Sequence, residues 1–289
     1  MRILVLGANG MAGHTISRYF MESGHETHGL SVAPIEYLHT VFICDVLKKD
    51  EFSSILQRGD YDCVINCIGI LNKAADDHKA LAVYLNSYLP HFIVDTLKDK
   101  KTKYIHMSTD CVFSGEKGDY KETDFQDGKT YYDRTKALGE VNDDKNLTFR
   151  NSIIGPDMNV EGIGLFNWFM KQNNNLRGYD KAVWTGVTTL TLAKAMEQAI
   201  IEDLTGIYNL VNNEKTNKYE MLHLFNKHFK ASKLRITPSD MVIADKSLVN
   251  TRDDFSFVVP SYEDMIIDMK KWIFDHREFY PHYFCGVEK

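Results

Sequence analysis

Apolar and polar residues follow two alternating patterns in the first half of the chain. Short apolar runs bounded by glycine or polar residues predict buried strands over residues 2–6, 26–30, 41–44, 62–67, 104–107 and 147–154. Helical spacing of apolar residues predicts helices over 11–23, 50–57, 78–97 and 131–141. Strands that alternate with helices are typical of βαβ units. The sequence therefore predicts an α/β fold, a Rossmann-type doubly wound parallel sheet with helices on both faces.

The pattern becomes less regular after Gly155. Helices are predicted over 165–171, 191–201, 219–229 and 262–276, and a returning strand over 207–211. We interpret residues 1–155 as the first domain, with 182–212 crossing back to it. Residues 156–181 and 213–289 are expected to form a smaller C-terminal α/β lobe.

A glycine-rich turn directly follows the first strand and begins the first helix. It has the spacing GxxGxxG, in Gly7-Ala8-Asn9-Gly10-Met11-Ala12-Gly13. Glycines permit a tight turn and the close approach of a pyrophosphate to backbone N–H groups, and the helix N-terminus adds a positive dipole end. The motif predicts dinucleotide binding by Gly7, Asn9, Gly10, Met11 and Gly13. The alternative is a tight turn without a ligand.

Residues at the ends of three further strands indicate which cofactor is bound and where it lies. No Asp or Glu follows the second strand, where NAD-binding chains carry an acid for the ribose hydroxyl, and Ser31 is placed to bond a phosphate; this favours NADPH. Asp45-Val46 is expected beside the adenine, and Cys67-Ile68-Gly69 is expected to let the cofactor cross the sheet edge. The alternatives are a turn cap at Ser31, a helix cap at Asp45 and a plain turn after Asn66.

Two motifs supply catalytic groups. Thr109 follows the strand over 104–107, and Tyr132 precedes Lys136 by four residues, which puts both side chains on one helix face. The ammonium group is expected to lower the pKa of the phenol, so that Tyr132 exchanges a proton near neutral pH. Lys136 can also hold the nicotinamide ribose. The alternative is a solvated helix face.

These motifs resemble the extended, nucleotide-sugar branch of the short-chain dehydrogenase/reductase superfamily, in particular dTDP-4-dehydrorhamnose reductases. The first resembling segment is Ser108-Thr109-Asp110-Cys111-Val112-Phe113-Ser114-Gly115. The second runs from Tyr132 to Glu140, with Asp133 in place of the usual glycine and expected to point along the helix. The resemblance implies a reductase triad of Thr109, Tyr132 and Lys136.

Cys111 adds a second resemblance, to bifunctional 3,5-epimerase/4-reductases, which carry a cysteine two residues after the catalytic Ser or Thr. Their partner residue lies on a helix of the substrate lobe, in a segment similar to 167–171 here. Protons at C3 and C5 flank the carbonyl and are acidic, so inversion needs a base and an acid on opposite faces. The resemblance implies Cys111 as base and Lys171 as acid. The alternatives are a space-filling cysteine and a solvated lysine.

The sugar nucleotide needs contacts in the C-terminal lobe. Arg252 is expected to pair with the diphosphate, with Arg177 and Lys181 as rivals, because a chain of net charge −6 needs a local cation there. Trp184 and Asn167 lie in segments that carry the resemblances and are expected substrate contacts. Residues 1–155 would then hold NADPH and the lobe would hold the nucleotide sugar.

The expected reaction is NADPH-dependent reduction of the 4-keto group of a UDP- or dTDP-linked 4-keto-6-deoxyhexose after 3,5-epimerisation, which gives a nucleotide-linked L-rhamnose. One alternative is a reductase that receives its substrate from a separate epimerase. Another is a regulatory subunit that binds NADP without chemistry, against which the complete triad argues.

The charge and cysteine content of the chain limit the kinds of partner that it is expected to bind. The chain of 289 residues carries 34 basic and 40 acidic residues, which disfavours binding to nucleic acid or an anionic membrane. Five cysteines without a secretory signal predict reduced thiols in the cytoplasm, and no pair of Cys or His completes a metal site with Cys63 and Cys67. A homodimer is one expected state, since the superfamily often pairs through helix faces.

Overall fold

The computed structural model describes residues 1–284. Its central sheet has seven strands within that range, in the order β11-β6-β5-β4-β1-β2-β3, and every neighbouring pair is parallel. The strands are β1 (Arg2–Leu6), β2 (Glu26–Ser31), β3 (Thr40–Ile43), β4 (Cys63–Asn66), β5 (Lys103–Met107), β6 (Leu147–Arg150) and β11 (Gly206–Asn209). Apart from β11, this is the strand order of the dinucleotide-binding fold, and the predicted doubly wound sheet is confirmed.

Helices cover both faces of the sheet. They are α1 (Met11–Glu22), α2 (Lys49–Arg58), α3 (Asn72–Asp77), α4 (Lys79–Ala82), α5 (Leu89–Leu97), α6 (Tyr131–Leu138), α7 (Leu165–Met170), α8 (Thr189–Ile201), α9 (Lys218–Phe229) and α10 (Tyr262–Asp275). In β1, Ile3 and Val5 face one core, and Leu4 and Leu6 face the other. Both faces are apolar because residues alternate across a strand and each face is covered.

The predicted helix over 78–97 is not continuous. A π-helical segment, Val83–Tyr88, separates α4 from α5. Asn86 in that segment donates from Nδ2 to the Ile70 carbonyl at 2.9 Å and accepts from the Ile70 N–H at 3.0 Å. The π turn therefore aims Asn86 at the loop after β4, a contact that helical periodicity does not encode.

The predicted strand over 147–154 also divides. β6 ends at Arg150, and β7 (Ser152–Ile154) pairs instead with β10 (Gly186–Thr188). Asn151 lies between the two strands, where the chain leaves the central sheet.

The remaining strands form two small sheets. β8 (Leu176–Tyr179) pairs with β13 (Ile236–Ser239), and β9 (Ala182–Trp184) lies between β12 (Thr216–Asn217) and β14 (Ala244–Asp245). Between them in sequence, α8 packs against α1 and β11 pairs with β6, so these two elements lie with the central sheet. Cys285 and the end of the predicted lobe, 285–289, fall outside the described residues.

The architecture brings the ends of β1, β4, β5 and β6 to one edge of the sheet, because parallel strands share a carboxyl edge. Residues that follow these four strands therefore meet there. Along residues 1–284, no helix has the length and apolar character to cross a bilayer.

Candidate active site

A cavity of about 450 Å³ lies at the carboxyl edge of the sheet. Its walls are the segments after β1, β4, β5 and β6, the first turns of α6, and a loop that precedes α7. The lining residues include Gly10, Met11, Cys67, Ile68, Gly69, Thr109, Cys111, Tyr132, Lys136, Asn151, Asp157 and Ile163. Most of the predicted cofactor and catalytic residues thus meet in one cavity.

The glycine turn shapes one end of this cavity. Gly7 has φ +76°, a left-handed conformation that favours glycine. A Cβ on Gly13 would lie 2.1 Å from the Gly7 carbonyl oxygen, so α1 packs directly on the turn. Gly10 begins α1 without a side-chain cap, which leaves the first N–H groups of a twelve-residue helix at the cavity. This arrangement fits the pyrophosphate of a dinucleotide.

Helix α6 holds Tyr132 and Lys136 rigidly. Thr130 and Asp133 form a capping box at its start, with bonds of 3.1 Å in both directions. Asp133 is buried and lies 3.6 Å from Lys246, so it caps the helix and does not point along it as expected. The side chains of Tyr132 and Lys136 are both less than one-tenth exposed.

Lys136 is anchored from the neighbouring strand. Its Nζ donates to the Met107 carbonyl at 2.6 Å and lies 3.3 Å from Nε2 of His106. Burial lowers the pKa of Lys136 to about 8, and Glu140 opposes that shift. Burial also holds the pKa of His106 well below its usual value, so the imidazole is neutral beside the ammonium group.

Tyr132 is protonated in this environment. Burial raises the pKa of its phenol well above the usual value; Cys111 adds to the rise, and a hydrogen bond with Thr109 opposes it. The pKa of Tyr132 is therefore raised and not lowered as the sequence predicts, and burial is the largest cause. Thr109 itself donates to Asp110 at 3.0 Å and accepts from the Cys111 N–H at 3.1 Å.

Cys111 faces the same cavity as a thiol. Burial and the neighbouring Asp110 raise its pKa to about 12, while Lys246 acts in the opposite direction. At neutral pH this sulfur carries its proton, which makes it a weak base in this state.

The family described as "RmlD substrate binding domain" matches residues 1–248. The chain belongs to this family. Among curated proteins, it is 28% identical over 250 residues to the probable low-salt glycan biosynthesis reductase of Haloferax volcanii, covering 83% of this chain and 77% of that protein. It is also 28% identical over 142 residues to the dTDP-4-dehydrorhamnose reductase of Mycolicibacterium smegmatis, covering 48% and 40% of the two chains.

Solved structures with the RmlD fold superpose over most of the chain. A hypothetical dTDP-4-dehydrorhamnose reductase from Sulfolobus tokodaii gives a TM-score of 0.75 at 24% identity, covering 90% of this chain and 98% of that one. A dTDP-4-dehydrorhamnose reductase from Bacillus anthracis in complex with NADP gives 0.78 at 17% identity, covering 93% and 98%. At these identities the likeness shows the fold.

Ser31 and Asp45 lie outside the cavity of this RmlD-family chain and make local turns. Ser31 is buried, and its Oγ accepts from the Ala33 N–H at 3.1 Å. Asp45 is exposed, and its Oδ1 accepts from the Leu47 N–H at 3.0 Å. Val46 is buried and its carbonyl accepts from Tyr84 at 2.9 Å. Asn9 is exposed in the glycine turn.

Lys171 is not brought to Cys111. It ends α7, forms a 3.3 Å ion pair with Glu161, and lines a neighbouring depression that shares only Ile163 with the cavity. Asn167 is fully buried, and its Nδ2 donates to three carbonyls of the loop 159–162. Asn167 therefore positions the loop and does not line the cavity.

Arg252 and Trp184 are also held elsewhere. Arg252 Nη1 donates to the carbonyls of Thr205 and Ile207, at the amino end of β11, and its guanidinium pairs with Asp254. That is the opposite edge of the sheet from the cavity, so the expected pairing with a diphosphate is not supported by its position. Trp184 is buried against Tyr262 in the small sheet of β9.

Sequence reasoning missed several polar residues on the cavity wall, among them Asn151 and Asp157. It also missed the buried ion pair of Glu140 and Arg150 beside them. One signal was present: polar residues directly after a buried parallel strand lie at the carboxyl edge, where ligands bind.

Proposed function

We propose that this protein is an NADPH-dependent reductase of the 4-keto group of a nucleotide-linked 4-keto-6-deoxyhexose. The observation that carries the proposal is the convergence of Thr109, Tyr132 and Lys136 with the glycine turn in one cavity. Membership of the RmlD family and the reductases among its relatives support the same reaction.

The residues present fit a nicotinamide dinucleotide. Gly10 and Met11 would hold the pyrophosphate at the start of α1, and the segment 67–69 would lie along the cofactor. Lys136 and Tyr132 would hold the nicotinamide ribose. When bound, the reduced nicotinamide supplies the hydride that C4 of the sugar receives.

The protein's own groups handle the proton. The hydroxyls of Thr109 and Tyr132 would bind the carbonyl oxygen at C4, and Tyr132 would give it a proton. Burial keeps the phenol protonated until that moment, since the pKa of Tyr132 is raised. The Lys136 ammonium group then stabilises the phenolate that is left.

The pH dependence of the reaction should follow Lys136. Because its pKa is lowered to about 8, raising the pH through that value removes the ammonium proton. We therefore expect kcat/KM to fall above about pH 8, since this parameter reports groups of the free enzyme. Arginine keeps its charge through this pH range, so Lys136→Arg should have a lower kcat/KM that does not change with pH. A wild-type profile that stays level to pH 10 would contradict the role of Lys136.

The reaction itself is tested by incubating the protein with NADPH and with UDP- or dTDP-4-keto-6-deoxyglucose, and with their 3,5-epimerised forms. Consumption of NADPH and an NMR spectrum of a 6-deoxyhexose support the proposal. Binding of NADPH without turnover of any of the four sugars would support a regulatory subunit instead.

The cofactor preference provides a separate test. With Ser31 at the end of β2 and no acid there, a 2′-phosphate meets no negative charge from that residue. We expect NADPH to bind at least tenfold more tightly than NADH, an estimate from the value of one to two charge-assisted bonds (about 1.5–3 kcal/mol each). Fluorescence titration of both cofactors measures the ratio, and tighter binding of NADH would refute the preference.

Epimerisation at C3 and C5 is a second candidate activity. Its support is Cys111, a proton-bearing side chain that lines the same cavity as Tyr132. The raised pKa of Cys111 and the position of Lys171 outside the cavity weigh against it. We therefore favour a protein that reduces the 4-keto group without epimerising C3 and C5.

Cys111→Ser separates the two readings. If the cysteine is the base, the variant should lose exchange of the C3 and C5 protons with solvent deuterium, because an alcohol ionises far less than a thiol. It should still reduce a pre-epimerised sugar, since Thr109, Tyr132 and Lys136 are unchanged. On the reading we favour, neither protein exchanges these protons beyond the rate without enzyme; NMR in D₂O measures this. Exchange by wild type alone would establish the epimerase.

A further inference from the structure

Asn151 is a buried side chain with nothing to bond to. It is 3% exposed, and both Nδ2 and Oδ1 lack a hydrogen-bond partner. Among the residues that the structure describes, it is the one side chain with two such atoms. A buried polar atom without a partner costs about 1–3 kcal/mol, so a folded protein retains one for a reason.

The position of Asn151 supplies a reason. It lines the cavity and follows β6, which pairs with β5 so that Phe149 lies opposite Met107. Asn151 and Thr109 each come two residues after this pair. The unpaired amide is therefore level with Thr109, at the reaction centre.

The donor and acceptor atoms of the Asn151 amide limit the kinds of ligand group that it can bind. Oδ1 accepts a hydrogen bond and Nδ2 donates one, so the side chain is complementary to a group that offers both. A nicotinamide ring that delivered hydride to a carbonyl bound by Thr109 and Tyr132 would lie against this part of the cavity. Its one hydrogen-bonding substituent is a carboxamide, with one acceptor oxygen and one donor NH₂. The terminal torsion of asparagine is soft, so the amide can turn to meet it at low cost.

We propose that the Asn151 side chain pairs with the carboxamide of the nicotinamide ring and orients that ring in the cavity. This inference rests on the proposed function, because it requires a nicotinamide cofactor. It makes Asn151 a cofactor-binding residue, and it explains why the chain retains two unpaired polar atoms beside its catalytic groups.

Asn151→Leu tests the proposal by binding, without turnover. The variant should bind NADPH about tenfold more weakly, the value of roughly two neutral hydrogen bonds. It should bind 2′-phospho-ADP-ribose, which lacks the nicotinamide, as wild type does. Its ligand-free melting temperature should not fall, because the substitution removes two unpaired polar atoms and retains the volume. Asn151→Ala repeats the comparison with a smaller side chain should leucine disturb folding.

A matched control is Asn226, which is 4% exposed and lies outside the cavity. Its amide is fully paired, donating to the Leu234 carbonyl at 2.7 Å and accepting from the Leu234 N–H at 3.1 Å. Asn226→Leu should therefore lower the melting temperature and leave both dissociation constants unchanged. The two asparagines are expected to respond in opposite ways.

Three results would overturn the proposal. Equal weakening of NADPH and 2′-phospho-ADP-ribose by Asn151→Leu would show a general disturbance of the site. Unchanged NADPH binding with a raised KM for the sugar would assign the amide to the substrate. An unchanged dissociation constant for NADPH together with an unchanged KM for the sugar would show that Asn151 binds neither ligand. Wild-type protein that binds neither probe would instead refute the proposed function, and this inference with it.

Discussion

Tyr132→Phe is expected to lower kcat for reduction of the 4-keto sugar by about 10²- to 10⁴-fold, the usual value of a positioned proton donor. The cavity holds the phenol protonated because burial raises its pKa, and Thr109 forms a hydrogen bond with it. Removing one oxygen changes the volume little and removes one hydrogen bond to the nicotinamide ribose, so the dissociation constant of NADPH should rise by no more than about fivefold, the value of one neutral hydrogen bond (about 1 kcal/mol). Steady-state kinetics and a fluorescence titration measure the two quantities.

The neighbouring tyrosine is the control. Tyr131 precedes Tyr132 on α6 and is partly buried, with Lys79 lying over its ring at 5.7 Å, but it does not line the cavity. Tyr131→Phe should therefore leave kcat unchanged. If Tyr132→Phe retains wild-type turnover, another group gives the proton and the catalytic assignment fails.

The sequence predicts the cavity residues correctly where a local motif identifies the residue and the order of parallel strands determines its position. Gly10, Thr109 and Tyr132 come from three separate segments, and each follows or faces the end of a predicted parallel strand. Parallel strands share one carboxyl edge, so assigning the strands correctly was sufficient to place these residues together. No knowledge of the packing of the C-terminal lobe was needed.

Residues of the C-terminal lobe were predicted less well, because the spacing of residues along the chain does not determine where their side chains point. Lys171 and Arg252 are cations for which the sequence analysis predicts a catalytic and a substrate-binding role respectively. In the structure each pairs with a local carboxylate, Glu161 and Asp254 respectively. Which way a loop turns depends on contacts such as Asn167 with the carbonyls of 159–162, and these are not encoded by periodicity.

The pKa of Tyr132 shows a second limit of sequence reasoning. A lysine four residues away on one helix face predicts a lowered pKa for the phenol. In the structure the pKa of Tyr132 is raised, and burial is the largest cause. Burial depends on the whole fold, so a local motif predicts which residue is the candidate proton donor but not its protonation state in the ligand-free protein.

A second large effect is expected at the ion pair of Glu140 and Arg150. Their side chains are 3% and 1% exposed, and the guanidinium bonds both carboxylate oxygens, at 2.7 Å and 2.6 Å. Ser108 also donates to this carboxylate at 2.6 Å, directly before Thr109. The pair therefore connects the end of β6 and the segment after α6 to the segment after β5 that contains Ser108 and Thr109.

Breaking this pair from one side should be costly. Glu140→Gln or Arg150→Met is expected to lower the free energy of unfolding by about 3–5 kcal/mol, because each leaves the other charge buried without its partner. The double variant should lose less than the sum of the two, since no charge remains unpaired. Urea denaturation measures all three. Lys73→Met, which breaks the exposed pair with Asp77, is the control and should change stability by less than about 0.5 kcal/mol. Single variants within about 1 kcal/mol of wild type would show that water or other groups satisfy the remaining charge.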